Sequence, residues 1–449
     1  MAADGEVGPV VGVHLRRDRA VGVRAGDGSS RTAAAAGSPA TSLAAVLAEL
    51  APERCSRVLL DLAPLVADVL EGGRLAAVTT VRIAPSDRAI GVLYGGWPPA
   101  VVEQVDAGRL HVSGGHDFHG RRVGDVDEEA IAAAGRLAVQ RGADVMAVSA
   151  VGAMIDSSLE LEVAARLSRA TGRHVVMSHG AGGVRHLERE TTTVLDGALR
   201  GEVGALLDEL YDVVDHVAPG ARPGFAAADG SWLGREQARA HALRLLGTRE
   251  ALLVQGAAAT AGTPSAHVLL RDRRGLRATA VDDGCVRADP VRDLAPWLPG
   301  VHANQRHASV LPVGPGDASG LSPAALLGRP VVLVDLEPRA DEGEVPQRLV
   351  AAGLEVRQVA AAPDVLLARG LCAAVPQCEV VTYAAVDGPA AWQRARDVAR
   401  HQAQAQVLAA DPRARLRTVA DQVIPLSYLS TGVVQVRCYV VAEQELVRA

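Results

Sequence analysis

The stretch from Asp144 to Leu199 sets what this chain can become. Residues 144–150 (DVMAVSA) are a short apolar run, and residues 157–170 place Leu159, Val163 and Leu167 at helical spacing between charges. Gly172 supplies the helix stop, and residues 174–177 (HVVM) read as the next buried strand. Strand, helix and strand make a βαβ crossover, which is right-handed and lies on a parallel sheet. The polar loop that follows, Ser178-His179-Gly180-Ala181-Gly182-Gly183, falls at the carboxyl edge of a parallel strand, where α/β folds place ligands. A helix then opens on Leu187-Glu188-Arg189-Glu190 and the triplet Thr191-Thr192-Thr193 and runs to Leu199. Threonines at a helix start serve as caps as readily as they serve a site, so these residues alone leave both readings open.

Composition narrows the function classes. With 449 residues and 49% hydrophobic content the chain has material for two or three cores. A net charge of −6 and no basic run argue against nucleic acid as a partner. No uncharged window reaches membrane-spanning length, and the N-terminus lacks a signal-peptide layout, so a cytoplasmic protein is expected. The five cysteines show no CxxC spacing and read as reduced, buried thiols. All 46 basic residues are arginine. Codon bias accounts for much of that, yet the consequence is firm: P-loop and Schiff-base chemistry, which both need a lysine amine, are excluded. Anions must be met by arginine forks, backbone N–H groups or hydroxyls.

The Ser178 loop and the Glu188-Arg189-Glu190-Thr191-Thr192-Thr193-Val194 helix start resemble the hydantoinase A/oxoprolinase family, and the tail, with Glu379–Tyr383, a helix over 389–409, Val423–Leu429 and a final strand over 433–441, is similar to the end of its short actinobacterial-type members. His179-Gly180 stands where the family carries an acid, and Asp196-Gly197 replaces its Asn-Ala. The resemblance implies a two-lobed actin-like (ribonuclease H-like) α/β fold with internally duplicated lobes, taken as residues 1–215 and 216–449. It also implies ATP and a divalent metal as cofactors, a cyclic amide such as a hydantoin or lactam as substrate, and a hydantoinase B-like partner chain. Ser178, His179, Glu188, Arg189 and Thr192 are the catalytic candidates it suggests. Asp229-Gly230 matches its Asn-Gly turn.

In order along the chain, residues 10–24 alternate into a hairpin around a charged turn, residues 38–50 form an amphipathic helix, and residues 57–61 and 75–83 are strands. Residues 82–99 read as a loop-rich connection. His116, Asp117 and His119 lie in a turn of a type the family also shows; two histidines around an aspartate suit either a metal or a solvent-facing loop. Residues 127–141 and 202–214 are helices, and the Pro- and Gly-rich segment 218–224 marks the expected boundary between halves. Beyond it, residues 267–276 repeat the opening hairpin, as a duplicated fold predicts. Residues 290–323 read as loops with one strand over 308–312, and residues 330–335 and 346–352 as a strand and a helix.

The two hairpins are where the resemblance bears on chemistry. The family places an Asp and a Gly-Gly-Thr phosphate turn in each. Here His14 and Arg16-Arg17 occupy the first, and Arg271 and Arg273-Arg274 the second. Glycine lets backbone N–H groups close on an anion, and arginines remove that cradle while offering guanidinium groups instead. The third glycine loop is replaced by Leu336-Glu337-Pro338. Three readings follow: a hydrolase holding its cofactor through Arg16, Arg17, Arg273 and Arg274; a degenerate subunit with little or no ATP hydrolysis; or an ATP-independent binding protein or metal-assisted hydrolase built on His116, Asp117, His119, Ser178 and His179. Motif loss favours the degenerate subunit.

Overall fold

The computed structural model describes residues 8–26, 29–51, 55–86, 91–181, 185–273, 275–286, 288–290, 298, 301, 306–308, 311–312, 326, 328–337, 344–386, 388–426 and 432–443. Arg274, Gly182, Gly183 and Pro338 therefore lie outside the described residues. Four larger sheets organise the chain. The first contains β1 (Val10–Leu15), β2 (Arg19–Gly26), β3 (Ser29–Ala36), β4 (Arg57–Asp61), β9 (Arg222–Ala226) and β10 (Trp232–Leu233), in the order β10-β9-β4-β1-β2-β3. The second contains β5 (Val78–Ile83), β6 (Asp106–Val112), β7 (Val145–Ala150) and β8 (His174–Met177), all parallel, in the order β6-β5-β7-β8. The third contains β11 (Ala266–Asp272), β12 (Gly275–Asp282), β13 (Cys285–Val286), β17 (Val331–Asp335) and β18 (Val356–Val359), in the order β13-β12-β11-β17-β18. The fourth joins β19 (Gln377–Ala385), β20 (Leu416–Pro425) and β21 (Val433–Ala442) antiparallel.

The first and third sheets share one plan: an antiparallel three-strand meander followed by two parallel strands, β3-β2-β1-β4-β9 and β13-β12-β11-β17-β18. This is the expected two-lobed actin-like architecture with duplicated lobes. The two predicted hairpins are present, and both first strands are buried throughout most of their length because each sheet is covered on both faces. The parallel sheet β5–β8 is inserted between β4 and β9 of the first lobe.

Helices complete the layers: α1 (Pro39–Leu50), α2 (Ala63–Glu71), α3 (Pro99–Val105), α4 (Glu128–Gln140), α5 (Ser158–Thr171), α6 (His186–Val217), α7 (Arg235–Ala240), α8 (Arg249–Thr260), α9 (Glu344–Ala351), α10 (Pro363–Ala373) and α11 (Pro389–Ala410). Ser38 caps α1 and Asp127 caps α4 through their side chains. Helix α6 lies between the inserted sheet and α1 and α2, so one apolar core runs from Val13 and Leu47 through Leu195 and Leu199 to Val145. Helices α8 and α10, each following the last strands of its lobe, cross one another, and α10 packs on β1 and β2 of the opposite lobe.

Several expectations are corrected. The helices expected over 187–199 and 202–214 are one 32-residue helix, α6. Val194, Leu195, Ala198, Leu199, Val203, Leu207, Leu210 and Val214 keep a continuous buried stripe, and that burial outweighs the roughly 1 kcal/mol cost of Gly201. Strand β5 starts at Val78 rather than Leu75, and the connection over 82–99 ends in the added helix α3. The strand expected over 308–312 is two short pieces, β15 (Arg306–Ala308), paired with β14 (Ala288–Pro290), and β16 (Leu311–Pro312), paired with β12. Residues 222–233 complete the first sheet, so the division expected at residues 215/216 does not coincide with a change of sheet. Among the described residues no helix is long and apolar enough to cross a membrane.

Candidate active site and the inter-lobe hairpins

The inserted sheet has a topological switch point. From β5 the chain passes through α3, on the α6 face, to β6; from β7 it passes through α5, which packs with α4 on the other face, to β8. The crevice at the carboxyl ends of β5 and β7 is thus the place where such a sheet presents a ligand site. Arg82 of β5, Ser149 of β7, Ser178 and His179 after β8, Glu160 at the start of α5, and His186, Arg189 and Glu190 at the start of α6 all gather there.

Two buried carboxylates organise this crevice. Glu160 and Ser178 are fully buried. Glu160 Oε1 accepts from Ser178 Oγ at 2.6 Å and from the Ala150 N–H at 2.7 Å, and Oε2 accepts from the His179 N–H at 2.9 Å and His179 Nδ1 at 2.8 Å. The imidazole is thereby fixed with Nδ1–H on the carboxylate, which makes Nε2 the basic nitrogen of the neutral ring. Ser178 donates to Glu160 and not to a histidine, so Ser178 and His179 share one acceptor and do not form a nucleophile–base pair. Glu190, 1% exposed, receives a bidentate fork from Arg82, with Nε at 3.0 Å from Oε1 and Nη2 at 2.6 Å from Oε2, together with Ser149 Oγ at 3.0 Å. His186 Nε2 lies 3.4 Å from the same Ser149 hydroxyl. Tyr383 of β19 is close enough to act electrostatically on Arg189, and Thr382 Oγ1 donates to the Met154 carbonyl at 2.9 Å, so the C-terminal sheet covers the loop beside the crevice.

Burial pulls the His186 imidazole down to about 4, with Arg189 and Arg82 adding to the effect and Glu190 opposing it. The ring is neutral in the folded protein and protonates near pH 6.5 when unfolded. Stability is therefore complete above about pH 6.5 and falls as the pH drops toward about 4, by up to about 1.4 kcal/mol per pH unit. Urea unfolding of the wild type and of His186→Phe at pH 7 and pH 5 tests this. The wild type is expected to lose more stability than the variant over that interval, and equal losses would remove His186 as the cause.

Of the remaining catalytic candidates, Arg189 and Thr192 are buried under this crevice, and Arg189 Nη2 donates to the Ala150 carbonyl at 3.2 Å. Glu188 instead meets Arg185 at 3.4 Å on the helix exterior. Glu160, Arg82, Ser149, Glu190 and His186 were not singled out from the sequence. The one available signal was polar residues inside otherwise apolar strands, Ser149 in β7 and Arg82 in β5.

The proposed metal loop does not assemble. His116 is buried beside Asp156, at 3.7 Å, whereas His119 is exposed. The Asp117 carboxylate is taken by the N–H groups of His119 and Arg121 and by Arg121 Nε at 2.8 Å, and the hydrogen bond from the Arg121 N–H holds it below the usual carboxylate range. Among the described residues no three His, Cys, Asp or Glu side chains gather where one metal ion would sit. Asp229 and Gly230 form the tight turn between β9 and β10, with Asp229 Oδ1 accepting from the Ser231 N–H and hydroxyl and Gly230 at φ +79°. Their role here is to close a turn.

At the hairpins the structure shows a matched substitution. His14 pairs in register with Asp61 on the parallel neighbour of β1, and Arg271 pairs in register with Asp335 on the parallel neighbour of β11. His14 Nδ1 lies 2.8 Å from Asp61 Oδ2, while Asp61 Oδ1 accepts from Thr248 Oγ1 at 2.8 Å; Arg271 Nε donates to Asp335. The first-turn acids of α10 and α8 are also engaged: Arg19 donates to Asp364 at 2.7 Å and Arg277 to Glu250 at 3.0 Å. Arg16 and Arg17 are exposed, Arg273 meets Glu337 at 2.7 Å, and Asp272 pairs with Arg277 at 2.5 Å. A magnesium-bound nucleotide needs acidic ligands and a backbone N–H cradle. These residues do not fit it: His14 and Arg271 are bases already paired with an acid of the next strand, and Arg16, Arg17 and Arg273 have side chains where the cradle needs none.

No family model and no curated protein matches this chain. Solved structures do. The ATP-dependent caprolactamase from Pseudomonas jessenii matches with a TM-score of 0.71 at 13% identity, over 97% of this chain and 88% of that one. The nucleotide-free acetone carboxylase structure matches with a TM-score of 0.64 at 12% identity, over 97% of this chain and 87% of that one. The likeness is one of fold. It spans both lobes and the inserted sheet, and it leaves the chemistry to the residues described above.

Proposed function

We propose that this chain is a hydantoinase/oxoprolinase-type protein that keeps the architecture of an ATP-dependent cyclic-amide hydrolase but runs no ATP cycle of its own, serving as a subunit beside a second, hydantoinase B-like chain. The observation that carries this reading is the pair of dyads His14–Asp61 and Arg271–Asp335, placed in equivalent registers of the two lobes. Preorganised charge supplies most of the catalysis in phosphoryl transfer. Replacing an acid by a neutralised base in both lobes removes that charge from both sides. Calorimetric titration with Mg-ATP tests the proposal. No saturable heat is expected, and a micromolar dissociation constant would overturn it.

A second reading has its own support in His179. An imidazole held by a buried carboxylate on Nδ1 is arranged as a general base. If the crevice hydrolyses a cyclic amide without ATP, His179→Ala abolishes turnover of hydantoin or caprolactam in nucleotide-free buffer. Absence of turnover by the wild type with either compound removes this reading.

A further inference from the structure

The fourth sheet leaves an edge open. Strand β20 ends the order β19-β21-β20, and among the described residues it pairs only with β21. Its outer row of backbone N–H and C=O groups thus has no strand partner among the described residues, and every residue of β20 is exposed or half-buried. Proteins usually blunt such an edge with a bulge, a proline or charged side chains. Here the bulge lies between Thr418 and Ala420 and the proline is Pro425 at the far end, so residues 420–424 stay regular between them. The charged side chain of that run, Asp421, is turned toward α11, where Arg396 Nε donates to it at 3.0 Å and Arg400 pairs with it too.

Each face of the run opens on a cavity. Ala420 and Gln422 stand opposite Tyr439 and Arg437, whereas Asp421 and Val423 stand opposite Cys438 and Val436. Alternate residues of a strand point to opposite faces. On the first face, Ala420, Gln422, Arg437 and Tyr439 line a cavity of about 380 Å³ with Asp282 and Asp283, at the tip of the β12–β13 hairpin. On the second, Asp421 and Val423 line one of about 360 Å³ with Trp392, Gln393 and Arg396 of α11. The two cavities therefore flank the open edge, one for each parity of side chain.

Their chemistry differs. In the first, the carboxylates of Asp282, Asp283 and Glu379 outnumber the guanidinium groups of Arg417 and Arg437. Glu379 is paired with Arg437, and Arg329 holds Asp282 from outside the lining. Asp283, 67% exposed through its side chain, meets Arg417 only at 3.4 Å. In the second cavity Asp421 is already neutralised, and the open surface is the Trp392 ring, 40% exposed, beside Val423. A cationic side chain suits the first cavity and apolar ones the second.

We propose that β20 is a strand-addition site. An extended segment of a partner protein pairs with residues 420–424, its lysine or arginine over Asp283 and the apolar side chains on either side of that cation against Trp392 and Val423. Backbone hydrogen bonds to the edge supply affinity, and the two cavities select the side chains. The β20 of a second copy lacks this pattern, because residues 420–424 offer no cation on one face and an aspartate on the other. No residue of the hairpins or of the crevice takes part, so strand addition is independent of whether ATP binds or His179 acts as a base.

Calorimetry on the full chain with the peptide Ac-Thr-Val-Lys-Val-Thr-NH2 tests this, since its lysine and its valines fall on opposite faces when extended. Replacing the lysine by glutamate is expected to weaken binding about fivefold or more, and replacing both valines by serine about tenfold or more. Trp392→Ala should abolish the preference for valine over serine. Asp283→Asn should shrink the preference for lysine over glutamate, and asparagine tolerates the left-handed backbone of that turn, φ +49°. Because each preference is measured between peptides on one protein, a loss of folding is not mistaken for a loss of selectivity. Successive N–H groups of a strand point to opposite edges. Methylating both valine nitrogens and methylating the lysine nitrogen should therefore differ, one abolishing binding and the other sparing it. No saturable heat from the parent peptide at millimolar concentration, equal affinity for the glutamate or serine peptide, preferences unchanged in both variants, or equal effects of the two methylations overturns the proposal. So does a dimer of the chain alone, seen by sedimentation and lost in Trp392→Ala, which would place a second copy on the edge.

Discussion

Gly256→Ala and Gly370→Ala are each expected to destabilise the protein by about 3 kcal/mol, at the upper end of what overpacking costs. The two glycines sit at the crossing of α8 and α10, where the backbones come into direct contact. A Cβ on Gly256 would lie 1.9 Å from the Leu366 carbonyl oxygen, and a Cβ on Gly370 would lie 2.1 Å from that of Leu252. Those partners are backbone atoms of helices, which cannot rotate away as a side chain can, so the helices must separate. Separation loosens the contacts that α10 makes with β1 and β2 of the opposite lobe. Both substitutions force the same movement, so the double variant should lose clearly less than the sum of the two single losses. Gly201→Ala is the control: that glycine is exposed on α6 with nothing within 4 Å of its would-be Cβ, and alanine there should stabilise by up to about 1 kcal/mol. Urea unfolding measures all four. A loss within about 0.5 kcal/mol at both crossing positions would show that the helices part at little cost and that the close crossing is not what joins the lobes.

The same crossing shows what was legible in the sequence. The hairpins could be read because β1–β2 and β11–β12 are local, alternating and repeated. The repeat extends further than the hairpins. Residues 251–256 (ALLVQG) and 365–370 (VLLARG) carry the same Leu-Leu and the same glycine, and these are the contact positions of α8 and α10. That signal was present, but a single glycine near the end of a helical run reads equally well as a stop. The length of α6 was hidden for a similar reason. Gly201 punctuates the pattern locally, and the stripe that carries the helix through it is defined by α1, α2 and the inserted sheet, which are far away in the chain.

The candidate site was legible only in part. The loop at Ser178 and His179 could be placed, because the carboxyl edge of a parallel strand follows from the βαβ pattern. The carboxylates that fix it could not. Glu160 lies 18 residues before Ser178, and Glu190 lies 108 residues after Arg82, so both pairings depend on the sheet order β6-β5-β7-β8. The hairpin arginines offer guanidinium groups to an anion, and local sequence does not say which acids pair with them. The neutralising acids prove to be non-local for Arg271, at Asp335, and for Arg19, at Asp364, because they come from the next parallel strand and from a helix start.

Glu190→Ala is expected to cost about 3–5 kcal/mol, the range found when one member of a buried ion pair is removed. Arg82 is about 10% exposed through its side chain and Glu190 about 1%, so neither charge has water to replace its partner. With the carboxylate gone, the Arg82 fork keeps its contact with the Gly91 carbonyl, at 3.3 Å, but loses both strong charge-assisted bonds. The Ser149 hydroxyl loses its acceptor as well. Glu190→Gln separates these terms. It keeps an oxygen and the side-chain volume while removing the charge, so it should fall between wild type and alanine. Replacing both members, Arg82→Met with Glu190→Leu, removes both buried charges and should recover most of the stability lost in Glu190→Ala. Urea unfolding of the three variants decides the matter. If the double replacement is at least as unstable as Glu190→Ala, the cost comes from lost shape and not from the loss of a charge pair, and the electrostatic account of the switch-point crevice fails.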